Sequence, residues 1–535
     1  MILHINSAFA VTSYTWTGSS NTNWSTNGNW SPSTGHPVAG DNVTIPSTGT
    51  KPTVNVTSAC ASITISGTTT LTLSAALTVS GSFTINSTFT LSGTNTMTIG
   101  GATSFGYNIG MTINPGCTLS FASGSSLTMG GNSSNTITNT GTLQFTSSAI
   151  TMGFQTAITN SGTLTFTSTT LNLSGNNSTI SNSNILQMTG CTVTMSFQTL
   201  ISNTGTCTIG TSNFTLSGNN GTLSNTNSFT VTSSTLNFTG QATAITNTGA
   251  SAIFRLTGSA LTMGTANYIN ITNSSSASFI GSSGSTISIT SYQGYINNSA
   301  NFYAGTSNSP CPITITPQGA YITNSGTFYV GSTSGVTLSS GINQYVTNTG
   351  TFTFQSDKYG SAYVGAITQQ NPSNETAVFN GTYNVERYIT GGSTAYRGYR
   401  IFSSPVYAST DAYSNKIYNL NYVQSSALVT GTAGGGFDKT GNPSLYLFRE
   451  DLPISNTNYT TGNFWGISKM NNSPAYNYYL NGGATTYNIP VGNGFLFWFR
   501  GDRTSNLANK YTTGTSAESV TMTATGTLNQ GSFTV

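Results

Sequence analysis

The sequence predicts an all-β protein: a parallel, right-handed β-helix solenoid with an N-terminal cap, followed by a smaller β-sandwich-like C-terminal module. Three observations predict this fold. A nine-residue motif typified by ITNSGTLTF (158–166) recurs ten times, each repeat holds three short strand-like segments, and no amphipathic helix fits between them. Because one coil cannot bury its apolar face alone, such repeats are stable only when they stack.

The repeats begin at regular intervals along the chain. The first five intervals are 21 or 22 residues long and the last four are 24 to 26, the length of one three-stranded coil. The copies start at Ile137, Ile158, Ile180, Ile201, Leu223, Ile245, Ile271, Ile296, Ile322 and Val346. With looser strand segments upstream, residues 55–356 are predicted to form about 13 coils, roughly 60 Å long at ~4.8 Å per coil.

Asparagine occupies the third position of every copy. Stacked coils would place these side chains about 4.8 Å apart, so each amide could donate to the next in a structural ladder. The column consists of Asn139, Asn160, Asn182, Asn203, Asn225, Asn247, Asn273, Asn298, Asn324 and Asn348. Two positions later most copies have Gly or Asn, such as Gly141, Gly162 and Asn184, and we expect a left-handed backbone there.

Each motif also alternates apolar and polar residues, as a half-buried strand does. Leu164 and Phe166 are predicted to face the core, and Thr163, Thr165 and Thr167 the solvent.

Charged residues are almost absent from the repeat region. Between Lys51 and Asp357 there are 305 residues and one charged side chain, Arg255, where an average protein would have roughly 75. General acid and base catalysis and metal binding need carboxylates, His or Lys, and nucleic-acid binding needs cations. The sequence therefore predicts a non-catalytic protein with no cofactor, no metal site and no nucleic-acid partner.

The N-terminal segment indicates secretion. Residues 1–10 have an apolar run and a small-residue cleavage pattern at Ala8-Phe9-Ala10, so we interpret them as the remnant of a signal peptide. No stretch of 18 or more apolar residues follows that could span a membrane. An extracellular or cell-surface location is expected.

Residues 11–54 contain three tryptophans, Trp16, Trp24 and Trp30. A solenoid needs a cover over the open edge of its first coil, and a bulky aromatic segment suits that purpose. The alternative is that exposed indole rings stack on sugars, which makes these residues candidate ligand contacts.

Five cysteines lie in the solenoid: Cys60, Cys117, Cys191, Cys207 and Cys311. Cys207 takes the core position that leucine holds in sister repeats, so buried free thiols are expected, with a single disulfide as the alternative.

After residue 356 charges return and the Asn-Gly pattern stops. Residues 357–384 are interpreted as a transition with the last coil, and residues 385–535 as the β-sandwich-like module. Ion pairs and edge-strand charges are the preferred explanation of its arginines, and the alternative is that they are contacts for acidic glycans: Arg397, Arg400, Arg500 and Arg503. The chain stops within a strand pattern, so we expect the module to be incomplete.

Three groups of motifs carry a resemblance to a known class of protein. They are the Trp-rich block from Trp16 to Pro46, the Ser/Thr/Asn/Gly coils, and the string VERYI…YRGYRIFSSPV…GNGFLFWFRGDR (385–503). Together they resemble secreted, adhesin-like β-helix surface proteins exported by the type IX secretion system. The resemblance implies a modular surface protein and, as partner, the secretion machinery if the parent chain carries a sorting domain.

The preferred functional hypothesis is therefore an extracellular, adhesin-like spacer that holds a C-terminal module toward glycans or surfaces. A β-helix carbohydrate-active enzyme or carbohydrate-binding protein is the alternative. Ice binding is a lesser one, because one outward column is rich in Thr while the adjacent strand's column is irregular. That column runs Thr128, Thr151, Asn172, Thr194, Thr215, Asn237, Thr262, Ser288, Thr314 and Thr337.

Overall fold

The computed structural model describes most of the chain. The described residues are 11–130, 134–339, 342–367, 378–410, 414–448, 464–467, 470, 489–505, 507–508, 510 and 515–530. The expected signal-peptide remnant, residues 1–10, lies outside them. The chain divides into two compact units, one formed by residues up to 280 with 285–295, the other by residues 281–284 with 296–535.

Strands dominate both units, which confirms the all-β class. The helices among the described residues are short: the α-helix Asn421–Gln424 and the 3-10 helices Asn27–Asn29 and Thr394–Tyr396. The turns of parallel β-solenoid add up to about 14, close to the predicted number.

The first unit is a parallel β-helix in which successive coils add strands to three sheets. Sheet I holds the asparagine column and contains Thr53–Val54, Thr69–Leu73, Phe89–Gly93, Gly110–Ile113, Thr136–Asn139, Ala157–Asn160, Thr179–Asn182, Leu200–Asn203, Thr222–Asn225, Ala244–Thr248 and Asn270–Ser274. Sheet II contains Ser58–Cys60, Leu77–Val79, Thr96–Ile99, Thr118–Phe121, Thr142–Thr146, Thr163–Thr167, Ile185–Thr189, Thr206–Gly210, Ser228–Thr232 and Ile253–Thr257. Sheet III contains Ser13–Trp16, Trp30–Ser31, Asn42–Ile45, Ser62–Ile65, Phe83–Ile85, Ala102–Phe105, Ser126–Met129, Ala149–Met152, Thr170–Leu173, Thr192–Met195, Asn213–Leu216, Thr235–Phe238, Ala260–Met263 and Thr286–Ile289. Two further strands, Ser278–Ser282 and Tyr295–Asn298, contain residues of both units.

The second unit contains further parallel coils and an antiparallel part. Its parallel strands are Asn301–Ala304, Ile313–Ile315, Tyr321–Asn324, Thr327–Val330, Gly335–Leu338, Tyr345–Asn348, Thr351–Phe354, Tyr363–Val364, Phe379–Gly381 and Tyr383–Ile389. Tyr383–Ile389 crosses the predicted start of the module at residue 385, because it continues the parallel sheet through Thr353 and Phe354. Its other edge pairs antiparallel with Val520–Leu528.

The rest of the second unit consists of short, mostly antiparallel strands. Ser356–Asp357 pairs with Gly360–Ser361, and Val406–Tyr407 pairs with Val520–Leu528. A four-stranded sheet contains Gly398–Phe402, Phe495–Phe499, Leu445–Phe448 and Phe464–Gly466, and a three-stranded sheet contains Ser409–Thr410, Lys416–Tyr418 and Ile489–Pro490. The one parallel pair among these described strands is Thr430–Gly431 with Lys439–Thr440. A common core that includes Leu447, Phe497 and Met522 joins these strands to Val520–Leu528. A separate β-sandwich-like module over residues 385–535 stays a prediction, since the second compact unit also includes the parallel coils from residue 296.

The predicted alternation is confirmed on sheet II. Leu164 and Phe166 are buried, whereas Thr165 is partly exposed. Identical register from coil to coil stacks like residues, so the Phe145 and Phe166 rings lie parallel with centroids 5.1 Å apart. The core thus consists of stacked, equivalent layers of apolar side chains, and each layer buries the side chains of the next coil.

The asparagine ladder is also confirmed. In the first unit the Nδ2 of each of Asn139, Asn160, Asn182, Asn203, Asn225 and Asn247 donates to the Oδ1 of the next asparagine in the column at 2.7 or 2.8 Å. In the second unit Asn298 donates to Asn324 and Asn324 to Asn348, both at 2.7 Å. The side chains are buried, so the ladder satisfies polar groups that water cannot reach.

The sequence predicts a left-handed backbone at the glycines two positions after each ladder asparagine. For most of these glycines the prediction is wrong. Among the ladder glycines of the first unit only Gly249 has a positive φ. At Gly162 an added Cβ would instead lie 2.0 Å from the carbonyl oxygen of Gly141 on the preceding coil. Glycine is needed there for close approach of two backbones. The left-handed residues lie at the other two corners, for example Ser168 and Gln155.

All five cysteines are buried and free, so the disulfide alternative is wrong. Cys207 stacks between Leu186 and Phe229 in the core of sheet II. Burial raises the pKa of the Cys60 and Cys311 thiols to about 12 and that of Cys117 to about 11. These residues therefore serve as small apolar side chains rather than as nucleophiles.

We expect Asn203→Ala to lower the free energy of unfolding by about 2 to 4 kcal/mol. The change removes donation from Nδ2 to Asn225 and to the carbonyl of Ser228, and it deprives Asn182 of its acceptor. Chemical unfolding followed by circular dichroism measures the loss. The matched control is Ser202→Ala on the outer face, expected to change stability by less than about 0.5 kcal/mol. Equal losses at the two sites would contradict the structural role of the ladder.

Candidate functional site

The outer surface of the first unit consists almost entirely of uncharged side chains arranged in columns, with Arg255 as an exception on sheet II. The predicted outward column of sheet III is in register and extends further upstream than the sequence suggested: Thr44, Thr64, Thr84, Ser104, Thr128, Thr151, Asn172, Thr194, Thr215, Asn237, Thr262 and Ser288. In the second unit Thr314 lies beside Thr337.

A second hydroxyl column runs along sheet I and was missed by the sequence analysis. Its members are Thr70, Thr90, Thr112, Thr138, Thr159, Ser181, Ser202, Ser224, Thr246 and Thr272. The signal was available, because from Thr138 onward each member is the residue directly before a ladder asparagine. A face that repeats one hydroxyl per coil can offer many equivalent hydrogen bonds to an extended ligand.

Aromatic side chains project from the corner between sheet III and sheet I. Eight coils of the first unit have a described left-handed residue there, and the residue just before it is exposed or partly exposed. We call the line of these preceding residues the aromatic ridge: Tyr107, Phe154, Asn176, Phe197, Asn219, Gln241, Asn267 and Tyr292. Tyr107 is 72% exposed, and Phe197 and Tyr292 are 37% and 41% exposed.

The three tryptophans meet in one cluster but are not available to a ligand. Trp16, Trp24 and Trp30 are at most 1% exposed, with Trp30 packed edge-on against both partners at centroid distances of 5.0 and 4.7 Å. The strand Ser13–Trp16 pairs with Asn42–Ile45, so this segment covers the edge of an early coil. Burial removes the ring faces on which a sugar would stack.

The candidate arginines of the second unit make contacts within their own chain. The guanidinium of Arg397 donates to the carbonyls of Thr515 and Lys510, and that of Arg400 to the carbonyls of Tyr396 and Tyr399. The Arg503 guanidinium lies 2.7 Å from an Asp438 carboxylate oxygen.

Arg500 is partly buried at the end of a strand. The pairing of Gly398 with Phe499 brings it close to Arg397, so these two of the four candidates are neighbours.

A buried lysine anchors the segment that follows Arg500. Lys510 is fully buried and pairs with Asp502 and, at 2.8 Å, with Glu518. Asp502 also accepts the backbone N–H groups of Thr504 and Ser505. Although partial burial alone would raise the pKa of Asp502, the hydrogen bonds from Lys510, Ser505 and Thr504 lower it to about 2. The oxygens of Asp502 thus have partners within the chain, and Asp502 forms an antiparallel bridge with Ala427.

The second unit also contains a groove of about 460 Å³ lined by Glu386, Arg387, Ser361 and Tyr422, among other residues. Burial and the charge of Asp357 raise the pKa of Glu386, whose carboxylate accepts the Ser356 N–H at 3.0 Å. Burial also acts to raise the pKa of Asp357, but hydrogen bonds from Ser307 and the Tyr359 N–H lower it overall. Two neighbouring carboxyl groups thus have pKa values shifted in opposite directions.

Comparison with protein-family models, curated proteins and solved structures gives no significant match. None of the described helices is long and apolar enough to cross a membrane. Within the described part of the chain, no three His, Cys, Asp or Glu side chains cluster as metal ligands would.

Asp502 makes the stability of the second unit depend on acid pH. Its pKa in the folded state, about 2, is below the ordinary value near 4, so its stabilising contribution is complete above pH ~4 and is lost as pH falls toward 2. Thermal unfolding at several pH values between 2 and 6, compared with Asp502→Asn, isolates this contribution. We expect the difference between the two proteins to shrink as pH falls, and a constant difference would refute the assignment.

Proposed function

We propose that this chain is a non-catalytic, extracellular structural protein of the adhesin-like type. In this proposal the solenoid is a rigid, uncharged spacer, and the C-terminal module attaches to glycans or surfaces. The observation that supports it best is the outer face of the first unit, where hydroxyl and amide columns repeat on successive coils and Arg255 is the one ion among the described residues from 52 to 295.

Rigidity follows from the way the coils are held together. Each coil contributes a layer of stacked core residues, and from Asn139 onward the coils of the first unit also contribute a buried asparagine that bonds to its neighbour. Opening one coil would leave buried polar groups without partners, which is costly in free energy. A stack of this kind suits a spacer that must keep a fixed length.

Secretion and surface location belong to the proposal. They rest on the cleavage pattern at Ala8-Phe9-Ala10 and on the resemblance to proteins exported by the type IX system. Binding by such a surface would be multivalent and weak per site, made of hydroxyl, amide and aromatic contacts.

The proposal predicts adhesion that depends little on salt. Because the outer columns lack ions, retention on a neutral glycan surface should change less than about twofold between 50 and 500 mM NaCl. A quartz-crystal or surface-plasmon measurement with the purified chain checks this. Arg400→Gln serves as the control, and we expect it to leave retention unchanged. Binding that disappears at moderate salt and weakens in this variant would assign adhesion to the arginines of the C-terminal module rather than to neutral contacts, whereas adhesion to no surface would refute the proposal.

A carbohydrate-active enzyme is the second candidate, supported by Glu386 and Asp357. Opposite pKa shifts of two neighbouring carboxyl groups are the condition for a proton donor and an ionised partner in glycoside hydrolysis. The groove beside Glu386 would hold the sugar.

This candidate is tested by incubating the chain with a panel of neutral polysaccharides and measuring reducing ends. Turnover that falls at least 100-fold in Glu386→Gln, but not in the neighbouring Arg387→Gln, would establish the enzyme. Turnover that is unaffected by Glu386→Gln would assign the activity to a contaminant. We expect no turnover, in line with the non-catalytic proposal.

A further inference from the structure

Sheet III of the first unit has an outer face made only of small, neutral side chains. From Ala149–Met152 to Thr286–Ile289 it contains seven consecutive strands of four residues. The second and fourth residues of every strand are buried, so the first and third point outward. We call these outward residues the threonine face: Ala149, Thr170, Thr192, Asn213, Thr235, Ala260 and Thr286 at the first positions, and Thr151, Asn172, Thr194, Thr215, Asn237, Thr262 and Ser288 at the third.

The structure changes which column lies beside the threonine-rich one. The sequence disfavours ice binding because of an irregular column, but that column, with Gln144, Gln187 and Arg255, belongs to sheet II. The neighbour of Thr194 on its own face is Thr192, because alternate residues of one strand point to the same side. The column that contains Thr192 holds only Thr, Asn and Ala on these seven strands, so the face is regular in both directions.

Backbone pairing arranges the threonine face as a two-dimensional lattice. Each strand pairs in register with the next, so Thr194 lies between Asn172 and Thr215. Positions repeat about every 4.8 Å along the stack, and outward neighbours in one strand lie about 6.6 Å apart. Stacking and side-chain ladders keep a many-stranded sheet flat, and this unit has both a stacked core and the asparagine ladder.

Most hydroxyl groups of the face are available to a ligand. Among the described contacts, Thr235 is the one threonine of the face whose hydroxyl bonds to another side chain, the Oδ1 of Asn213 at 2.7 Å. The hydroxyls of Thr151, Thr194 and Thr215 have no protein partner within the described part of the chain. Branching at Cβ restricts χ1, so these groups are ordered in advance and lose little entropy on binding.

The composition of the face decides which ligand fits it. All its residues are described, and they include no ring on which a sugar could stack and no ion that would attract a charged polymer. They also include no large aromatic or arginine side chain of the kind that anchors a protein partner. A ligand that gains from this lattice must itself be periodic and neutral, and it must both donate and accept hydrogen bonds.

An ice crystal has these properties. Its water molecules each donate and accept hydrogen bonds, and their oxygen atoms repeat along an ice face at a length close to the spacing of the coils. Waters ordered on the hydroxyl groups of the threonine face can therefore take positions of the crystal lattice. Liquid water has no fixed lattice, so the face distinguishes the crystal from the melt.

We propose that the threonine face binds ice. This inference goes beyond the attachment proposed for the C-terminal module, because it concerns the solenoid of the first unit. Each contact with the crystal is weak, but the contacts repeat on seven coils of one rigid stack and therefore act together. The bound protein covers part of the crystal surface and slows its growth there.

Partition of the full chain into slowly growing ice, together with thermal hysteresis of the purified protein, tests the proposal. We expect the chain to enter the ice and to lower the freezing point below the melting point. Thr194→Tyr places a ring in the middle of the face and holds the crystal away from its neighbours, so thermal hysteresis should fall at least about threefold. Thr165→Tyr makes the same change on the outer face of sheet II and should leave it unchanged. Circular dichroism checks that both variants fold.

A second pair of variants improves the lattice instead of damaging it. Asn172→Thr combined with Asn237→Thr fills the two amide positions of the third-position column and should raise thermal hysteresis about twofold. Gln144→Thr combined with Gln187→Thr is the matched change on sheet II, and we expect no effect. Exclusion of the unmodified chain from ice, or equal effects of the matched changes on the two sheets, would overturn the proposal.

Discussion

The interaction on which this structure depends is the side-chain hydrogen bond between asparagines of successive coils. In Asn203 the Nδ2 atom donates to the next asparagine, to a carbonyl of the next coil and to a carbonyl of its own corner, while Oδ1 accepts from the preceding coil. One neutral side chain thus satisfies the polar groups of a buried corner and links three coils. Because the corner needs no ion and no water, the same solution can be repeated on every coil, and the rest of each coil is free to vary on its outer face.

Repetition turns each outward position into a one-dimensional lattice. Whatever residue stands at a given position recurs about every 4.8 Å along the stack, in register with its neighbours. This property explains why the hydroxyl column of sheet I continues over ten strands of the first unit. The surface chemistry of the first unit is therefore set by the same spacing that builds the core.

Sequence reasoning found what repeats once per coil. The asparagine column, the burial of Phe166 and the apolar role of Cys207 all follow from aligning the motif with itself. It was wrong about Gly162, because a glycine can be required either by a positive φ angle or by close approach of two backbones. The sequence does not distinguish these two causes, and only the coordinates do. It missed the aromatic ridge because the corner segments that carry its residues vary in length from coil to coil. It could not foresee Lys510 between Asp502 and Glu518, since contacts between distant segments leave no local pattern.

The same lattice explains why ions are rare in the coils, where Arg255 is the one charged side chain between Lys51 and Asp357. A charged residue at a repeated outward position would face its own copy on the next coil, and two unit charges about 4.8 Å apart repel by roughly 1 kcal/mol even in water. Over ten coils that cost would approach the whole stability of a typical domain. Hydroxyls and amides avoid it, because each can donate to one neighbour and accept from another. The antiparallel part of the second unit does not repeat in this way, and ion pairs such as that between Lys510 and Glu518 are tolerated there.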